Sequence, residues 1–417
     1  MAASSETMNE KRKIPRIMDL RGTYKGGGGP DKTVLNSAAL HDPEKVHVLV
    51  TYLRAPWDDQ FQIPEMAARL KINYVDVLDR SFLDLECLRR LAALVKEHRL
   101  NVVHSHDDKT LLYAWLLKLL IPAVRIVHTC HSHAVGERHC FPCLSSFLRF
   151  KGRQRMQIFL MRRHLQPVLA VSADTGRRLV ASGLPEEGVT VLHNGIDTSR
   201  WCRDDALPVL RRELSLREGR LLVGTVARIT PEKDLPTFYD VAALVARKLP
   251  GTLFAVVGDG YGDELAVARR EVARRGLEKT VHFTGHRNDL PDLYASFDVF
   301  LMTSVTEGMP NTLLEAMSMA VPSVATAVGG VPELLQHGRG GFLASAGDAE
   351  ALARHVLTLL ESPELRKEFG AACRARIEER FAFDRRVRLM EEYYAWFAGC
   401  GSLPDPVPAW SGFADES

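Results

Sequence analysis

Between residues 14 and 326, short apolar runs rich in β-branched residues alternate with longer stretches whose apolar positions recur every three or four residues. The short runs read as strands at 14–20, 46–51, 102–106, 125–130, 169–171 and 189–192, and again at 221–226, 253–257, 281–284, 299–302 and 323–326. Stretches 85–98, 235–248 and 263–275 carry helical spacing. This alternation predicts parallel strands joined by crossover helices, an α/β fold that is doubly wound twice over. The turn pair Asn194-Gly195 and the irregular 198–205 separate the two series, which restart at Leu221. The predicted domains are therefore 12–197 and 205–383. Asp384 reads as an N-cap, after which Val387, Met390, Tyr394 and Phe397 form one stripe of a closing helix over 384–398. The remaining 400–417, with Pro404, Pro406 and Pro408, reads as a loosely ordered tail.

Length agrees with this division, because 417 residues exceed what one hydrophobic core usually serves. With 46% hydrophobic and 25% charged residues the chain falls in the globular class, away from disordered, collagen-like and coiled-coil compositions. The net charge of +2 conceals an asymmetry: residues 1–203 carry +9 and the remainder −7. Two halves of opposite sign suggest different partners. No zinc-finger spacing or RNP-like aromatic motif is present, so nucleic acid is not expected among them. Seven scattered cysteines point to a reduced compartment rather than a disulfide scaffold. The basic Lys11-Arg12-Lys13 is followed by a segment broken by Pro15, Arg16 and Asp19, which does not read as a secretory signal. The longest apolar run, 111–124, contains Lys118 and falls short of the ~20 residues that span a bilayer.

Three constellations carry candidate chemistry. Gly26-Gly27-Gly28-Gly29-Pro30 follows the first predicted strand and opens a helical stretch. Such a loop lets the backbone approach a ligand and offers helix N-terminal N–H groups to an anion or a hydroxyl; it also fits a plain flexible connection. Arg228 and Lys233 follow the first strand of the second half, where two fixed cations can stabilise a departing anion, although alone they also fit a solvated surface. Glu307-Gly308-Met309-Pro310-Asn311-Thr312-Leu313-Leu314-Glu315 places one carboxylate in a loop and a second on the helix that Pro310 starts near Asn311. Amides around Gly308, Met309, Asn311 and Thr312 can then face a diphosphate, with the two glutamates on sugar and ribose hydroxyls. The competing reading is that Ser304 with Glu307, or Thr312 with Glu315, forms a capping box.

Glu307 to Glu315, with Arg228 and Lys233 upstream, resembles the E-x7-E motif and the Arg/Lys pair of family 4 retaining glycosyltransferases of GT-B fold. The flanking segments 191–197, 256–260, 283–286 and 328–333 match that family as well, and the resemblance spans residues 14 to 398. It implies two Rossmann-like domains facing across a cleft and a sugar moved from a nucleotide-diphosphate donor to a hydroxyl acceptor with retention and without a metal. Arg228 and Lys233 would contact the donor diphosphate, Glu307 the transferred sugar and Glu315 the ribose. Gly28 and Gly29 would lie opposite them. His131 matches the family's histidine near the sugar, with His128 and His133 as close neighbours in sequence. His104 and His106 fall on one face of their strand and would sit on the acceptor side; each also fits a structural histidine. Spacings of three and two among the histidines at 128, 131 and 133 match no usual zinc pattern, so no metal and no cofactor beyond the donor substrate is expected. The run Gly258, Gly260, Gly262 reads as a tight strand-to-helix turn rather than a dinucleotide fingerprint.

Between Arg138 and Arg163 seven basic residues and no acidic ones are interleaved with Phe141, Phe147, Phe150, Phe159 and aliphatic residues. That pattern fits an interfacial helix on an anionic membrane surface, and equally a helix packed on its apolar side with solvated arginines. The expected setting is cytoplasmic, peripheral at the inner membrane face, with a glycan or lipid-linked acceptor in cell-envelope or exopolysaccharide assembly. Cys140 and Cys143 form a lone C-x-x-C without a partner pair and read as incidental. Two rival functions share the architecture: a nucleotide-sugar epimerase, which needs no acceptor, and a non-catalytic nucleotide-sugar-binding subunit.

Overall fold

In a computed structural model of the chain, residues 14–132, 144–163, 167–260 and 262–404 are described. Lys11 to Lys13, His133, Arg138, Cys140, Phe141, Cys143 and the tail beyond residue 404 lie outside them. The chain divides into two compact units. The first runs to Val171 and takes Thr175–Leu192 and the segment from Asp384, while the second holds Ser172–Asp174 and His193–Phe383.

The first unit is built on strands β1 (Arg16–Gly22), β2 (His47–Arg54), β3 (Tyr74–Leu78), β4 (Val102–Ser105), β5 (Arg125–Cys130), β6 (Val168–Ala170) and β7 (Val189–Val191). They form one parallel sheet in the order β3-β2-β1-β4-β5-β6-β7. Side chains alternate across it, as the pleat requires. Ile17, Val102, Val127 and Leu169 pack on one face with Met390, Tyr393, Tyr394 and Phe397 of the closing helix Phe383–Phe397. Met18, Val103, Cys130 and Ala170 face the other side, among Leu88, Leu91, Tyr113, Leu117, Ile158 and Met161. The helix Leu144–Arg163 thus gives Ile158, Leu160 and Met161 to the core, whereas Leu148 and Phe159 are exposed.

The second unit carries β8 (Leu222–Val226), β9 (Leu253–Val257), β10 (Val281–Gly285), β11 (Val299–Met302), β12 (Ser323–Thr326) and β13 (Gly341–Ala344), parallel in the order β10-β9-β8-β11-β12-β13. In both sheets the winding direction reverses next to the first strand of the unit, between β1 and β4 and between β8 and β11. Strands β3 and β13 were not expected from the pattern. Both are edge strands with mixed burial, so neither carries the continuous apolar run that marks a central strand. The helices Leu235–Lys248, Glu264–Arg274 and Leu85–Glu97 fall within a residue of the predicted spans.

Gly224 in β8 illustrates how tightly the second core is closed, because a Cβ there would lie 2.3 Å from the Phe297 ring. Gly224→Ala should therefore lower unfolding stability in urea by about 1–3 kcal/mol, the usual cost of overpacking. Adding Phe297→Leu should make the double variant less destabilised than the sum of the two single changes.

Candidate functional site

Loops that leave the carboxyl ends of β8 and β11 meet at the reversal point of the second sheet, the position where open α/β sheets bind ligands. After β8 the chain passes exposed Arg228 and a single turn, Pro231–Lys233. After β11 it passes Thr303, Ser304 and Glu307 before the helix Asn311–Ser318. The two loops are joined through their backbones: Val305 N–H donates to the Glu232 carbonyl at 2.9 Å, and Thr303 Oγ1 lies 3.0 Å from the carbonyls of Lys233 and Asp234. This fastening brings Lys233 Nζ to 2.6 Å from Glu307 Oε1. Ser304 Oγ donates to the same oxygen at 2.7 Å. The Ser304–Glu307 pair is thus a side-chain contact within a loop, and no helix starts there for it to cap. Thr312 likewise stands inside its helix, whose N-cap position is Pro310.

Glu315 projects from that helix into the interior, 2% exposed, with Tyr294 Oη 2.9 Å from its Oε2. Met309 is fixed by Asn194, whose backbone N–H points to the thioether at 3.1 Å and whose Nδ2 donates to the Met309 carbonyl at 3.3 Å. Behind Glu307 lies the loop after β12. Gly329 has φ +55°, and a Cβ on it would fall 1.9 Å from the Glu307 carbonyl oxygen; Gly330 N–H donates to the Gly308 carbonyl at 2.8 Å. Glu333, four residues on, accepts from His193 Nε2 at 2.9 Å and from the amides of Ala173 and Asp174 at 2.8 and 3.1 Å. Burial pushes the Glu333 carboxyl up, but the bonds from His193 and the two amides leave its pKa below the ordinary value.

In the first unit the corresponding reversal point carries the glycine loop after β1 and the histidines at the end of β4. Gly26 and Gly27 have φ of +86° and +80°, which glycine alone adopts without strain. Gly28 is the N-cap of the helix Gly29–Leu40, and its N–H donates to Asp31 Oδ2 at 3.0 Å. Asp31 is held in turn by Arg21 at 2.5 Å and by Tyr52 Oη at 3.2 Å. His104 is an interior histidine with both ring nitrogens bonded, to Tyr394 Oη and to Thr129 Oγ1, each at 2.7 Å. His106, whose ring centre is 4.1 Å away on the same face, lies 2.5 Å from Asp19 Oδ1 through Nε2 and 3.0 Å from His131 Nε2 through Nδ1. His128 points elsewhere, to Ser105 Oγ at 2.9 Å. Burial holds His104, His106 and His131 well below the usual imidazole range and His128 down at about 4, so these rings are neutral at pH 7.

Residues 28–200 match the family description Glycosyltransferase Family 4, and residues 220–362 match Glycosyl transferases group 1. Over 265 residues the chain is 30% identical to the lipopolysaccharide core biosynthesis mannosyltransferase LpsB of Rhizobium meliloti, covering 60% of this chain and 74% of that one. It is 25% identical over 372 residues to the N-acetyl-alpha-D-glucosaminyl L-malate synthase of Bacillus anthracis, covering 88% and 93%. Among solved structures, Anabaena Alr3699/HepE in complex with UDP-glucose superposes with a TM-score of 0.78 at 22% identity, over 91% of this chain and 99% of that one. The chain belongs to glycosyltransferase family 4. Its two parallel-sheet Rossmann-like domains are those of the GT-B fold.

Within this glycosyltransferase, Lys233 and Glu307 are in direct contact, Arg228 begins the same loop as Lys233, and Gly308, Met309, Asn311, Thr312 and Glu315 follow Glu307 along one loop and helix. Asp19, Glu333 and Asp31 were not singled out by the sequence. Asp19 had a legible signal, a carboxylate inside the apolar run of a central strand, since such a group is buried only when paired. Asp19, His104 and His106 are close enough to suggest a metal set among the described residues. As they stand, Asp19 and His106 are at hydrogen-bond distance from each other, and both His104 nitrogens are engaged by Tyr394 and Thr129. Gly329→Ala should force the Glu307 loop to move. It should lower the second unit's stability by about 1–3 kcal/mol or more in a urea titration, together with a loss of sugar transfer.

Proposed function

We propose that this glycosyltransferase moves a sugar from a nucleotide-diphosphate donor to a hydroxyl acceptor, with retention at the anomeric carbon and without a metal. The observation that carries the reading is the 2.6 Å pair of Lys233 and Glu307 at the reversal point of the second sheet. A cation and a carboxylate held on two joined loops form a ready exchange site. The donor diphosphate takes over Lys233, and a sugar hydroxyl takes over Glu307, so neither charge is left without a partner when the ligand enters. Arg228 adds a second cation for the diphosphate, which gains charge as the glycosidic bond breaks. The amides of Gly308, Met309, Asn311 and Thr312, at or before the start of the helix Asn311–Ser318, suit the same anion. Glu315, steadied by Tyr294, takes the ribose. Gly28, Gly29 and His131 serve the sugar side, and His106 the acceptor side through its contact with His131.

Retention without a protein nucleophile is served by front-side attack, in which the departing phosphate accepts the proton of the attacking hydroxyl. The cations then stabilise the leaving group, a task that needs no metal ion. Complexes of Alr3699/HepE with UDP, glucose and UDP-glucose support a nucleotide-sugar donor. The name of one Escherichia coli relative, UDP-Gal:alpha-D-GlcNAc-diphosphoundecaprenol alpha-1,3-galactosyltransferase, supports a lipid-linked acceptor. Among the described residues no helix is long and apolar enough to cross a membrane. A peripheral contact is served instead by the cavity of about 790 Å³ beside the helix Leu144–Arg163, lined by Lys151, Arg155, Arg162, Arg163 and Phe159.

A thermal-shift panel of UDP-, GDP- and ADP-sugars should show one donor raising the melting temperature, since a ligand that binds only the folded state stabilises it. With that donor, Lys233→Ala should cut turnover by roughly a hundredfold or more while leaving the fold intact. Undiminished transfer by Lys233→Ala would overturn the assignment. Transfer should persist in EDTA, and proton NMR should show the donor's anomeric configuration in the product. Isomerisation of the donor without an acceptor would identify an epimerase instead. Flotation with anionic and neutral vesicles tests the peripheral contact, which equal failure to bind both would remove.

A further inference from the structure

The first unit holds a chain of three side chains, Asp19 and His106 buried and His131 half-buried. Asp19 Oδ1 lies 2.5 Å from His106 Nε2, and His106 Nδ1 lies 3.0 Å from His131 Nε2. The far nitrogen, His131 Nδ1, is buried and has no hydrogen-bond partner among the described residues. Each neutral imidazole carries one N–H and one lone pair, so the proton positions along the chain are linked. An ionised Asp19 only accepts, which puts the His106 proton on Nε2 and leaves Nδ1 as an acceptor. His131 must then donate from Nε2, and its Nδ1 is left with a lone pair. Burial pushes the Asp19 carboxyl above its ordinary pKa, and the charges of Arg386 and Arg21 act against that shift, so the direction of the chain is what the experiment below reads.

We propose that Asp19 and His106 are positioning residues that lock His131 in the Nε2–H tautomer, making Nδ1 an obligatory hydrogen-bond acceptor for a hydroxyl of the bound sugar or acceptor. The class of ligand group follows from the polarity. A lone pair recruits an O–H and repels a phosphate oxygen, so this end of the site selects a neutral hydroxyl. An unpartnered buried acceptor costs the protein free energy until such a donor arrives. The relay also holds the ring in place: His106 and His131 stack with centroids 5.2 Å apart, and His106 is fixed at the end of β4 by its N–H to Thr110 Oγ1. The identity of His131's ligand rests on the glycosyl-transfer reading, whereas the tautomer does not.

The test is long-range ¹H–¹⁵N correlation NMR of the full chain labelled with ¹⁵N-histidine, with His131 assigned by the signal lost in His131→Gln. In the wild-type protein at pH 7 His131 should show a protonated Nε2 and an unprotonated Nδ1. A protonated Nδ1 would overturn the proposal, because the chain would then run the other way with Asp19 carrying the proton. Asp19→Leu removes the terminal acceptor without adding a donor. It should shift the His131 population toward the Nδ1–H tautomer and lower kcat/KM for sugar transfer roughly tenfold to a hundredfold. An Asp19→Leu protein that folds, retains the wild-type His131 tautomer and still loses transfer would exclude the relay while leaving the transferase assignment standing. The wild-type spectrum decides the matter even if Asp19→Leu does not fold.

Discussion

A parallel sheet that starts in its middle must send its chain first one way and then the other. In each unit of this protein the first strand and the later strand beside it, β1 with β4 and β8 with β11, hand their loops to opposite faces, and a crevice opens between them. Every group given a chemical role lies within a few residues of such a strand end or on the helix that follows it. Asp19, at the crevice of the first unit, stands one strand away from His104 in register, and His106 follows at the strand's end. Lys233 and Glu307 come from the two loops flanking the crevice of the second. The sheet sets where these atoms are, and the loops between strand and helix decide only their chemistry.

Packing at the second crevice is between backbones. The loops after β8, β9, β11 and β12 lie too close for side chains: Gly258 would place a Cβ 2.0 Å from the Ala227 carbonyl oxygen, and Gly329 one at 1.9 Å from that of Glu307. Glycine is needed at both positions for conformation as well, since their φ angles are +136° and +55°. A loop held this closely has few ways to relax, which fixes the Glu307 carboxylate beside Lys233. Glu333 extends the same support by tying His193 and the amides of Ala173 and Asp174 to the turn behind Glu307.

The alternation of apolar runs was legible because central parallel strands are covered on both faces and leave no room for polar residues. Tyr74–Leu78 and Gly341–Ala344 escaped the same reading, for an edge strand may keep polar or small residues and still complete its ladder. Glu307 and Glu315 could be read together because a loop and the first turns of a helix keep their residues near one another in sequence, whereas joining Lys233 to them, 74 residues away, rested on the family resemblance. The Asp19–His106–His131 chain was not legible, since Asp19 lies in β1, His106 just after β4 and His131 just after β5, 87 and 25 residues apart. The direction of its hydrogen bonds depends on which nitrogens face which, and no sequence records that. For His104 the structural reading fits its setting: it shares a strand face with His106, and Tyr394 and Thr129, from the closing helix and β5, occupy both its nitrogens.

In the basic helix Leu144–Arg163 the reading of a helix packed on its apolar side holds for part of its length. Ile158, Leu160 and Met161 are committed to the core, and withdrawing them into lipid would forfeit about 1.5–3 kcal/mol of burial for each large side chain. The helix therefore cannot offer a full apolar face to a bilayer while the first unit stays folded. What remains outside is Arg153, Arg155, Arg162 and Arg163 with Phe159 and Leu148, and Arg153 is already 3.0 Å from Asp108. Attraction of this kind to an anionic surface is chiefly electrostatic, worth about 1 kcal/mol for each basic residue near the lipid, and it decays within a Debye length of roughly 8–10 Å at physiological salt. Any hold on a membrane through this face would thus be weak, reversible and sensitive to salt.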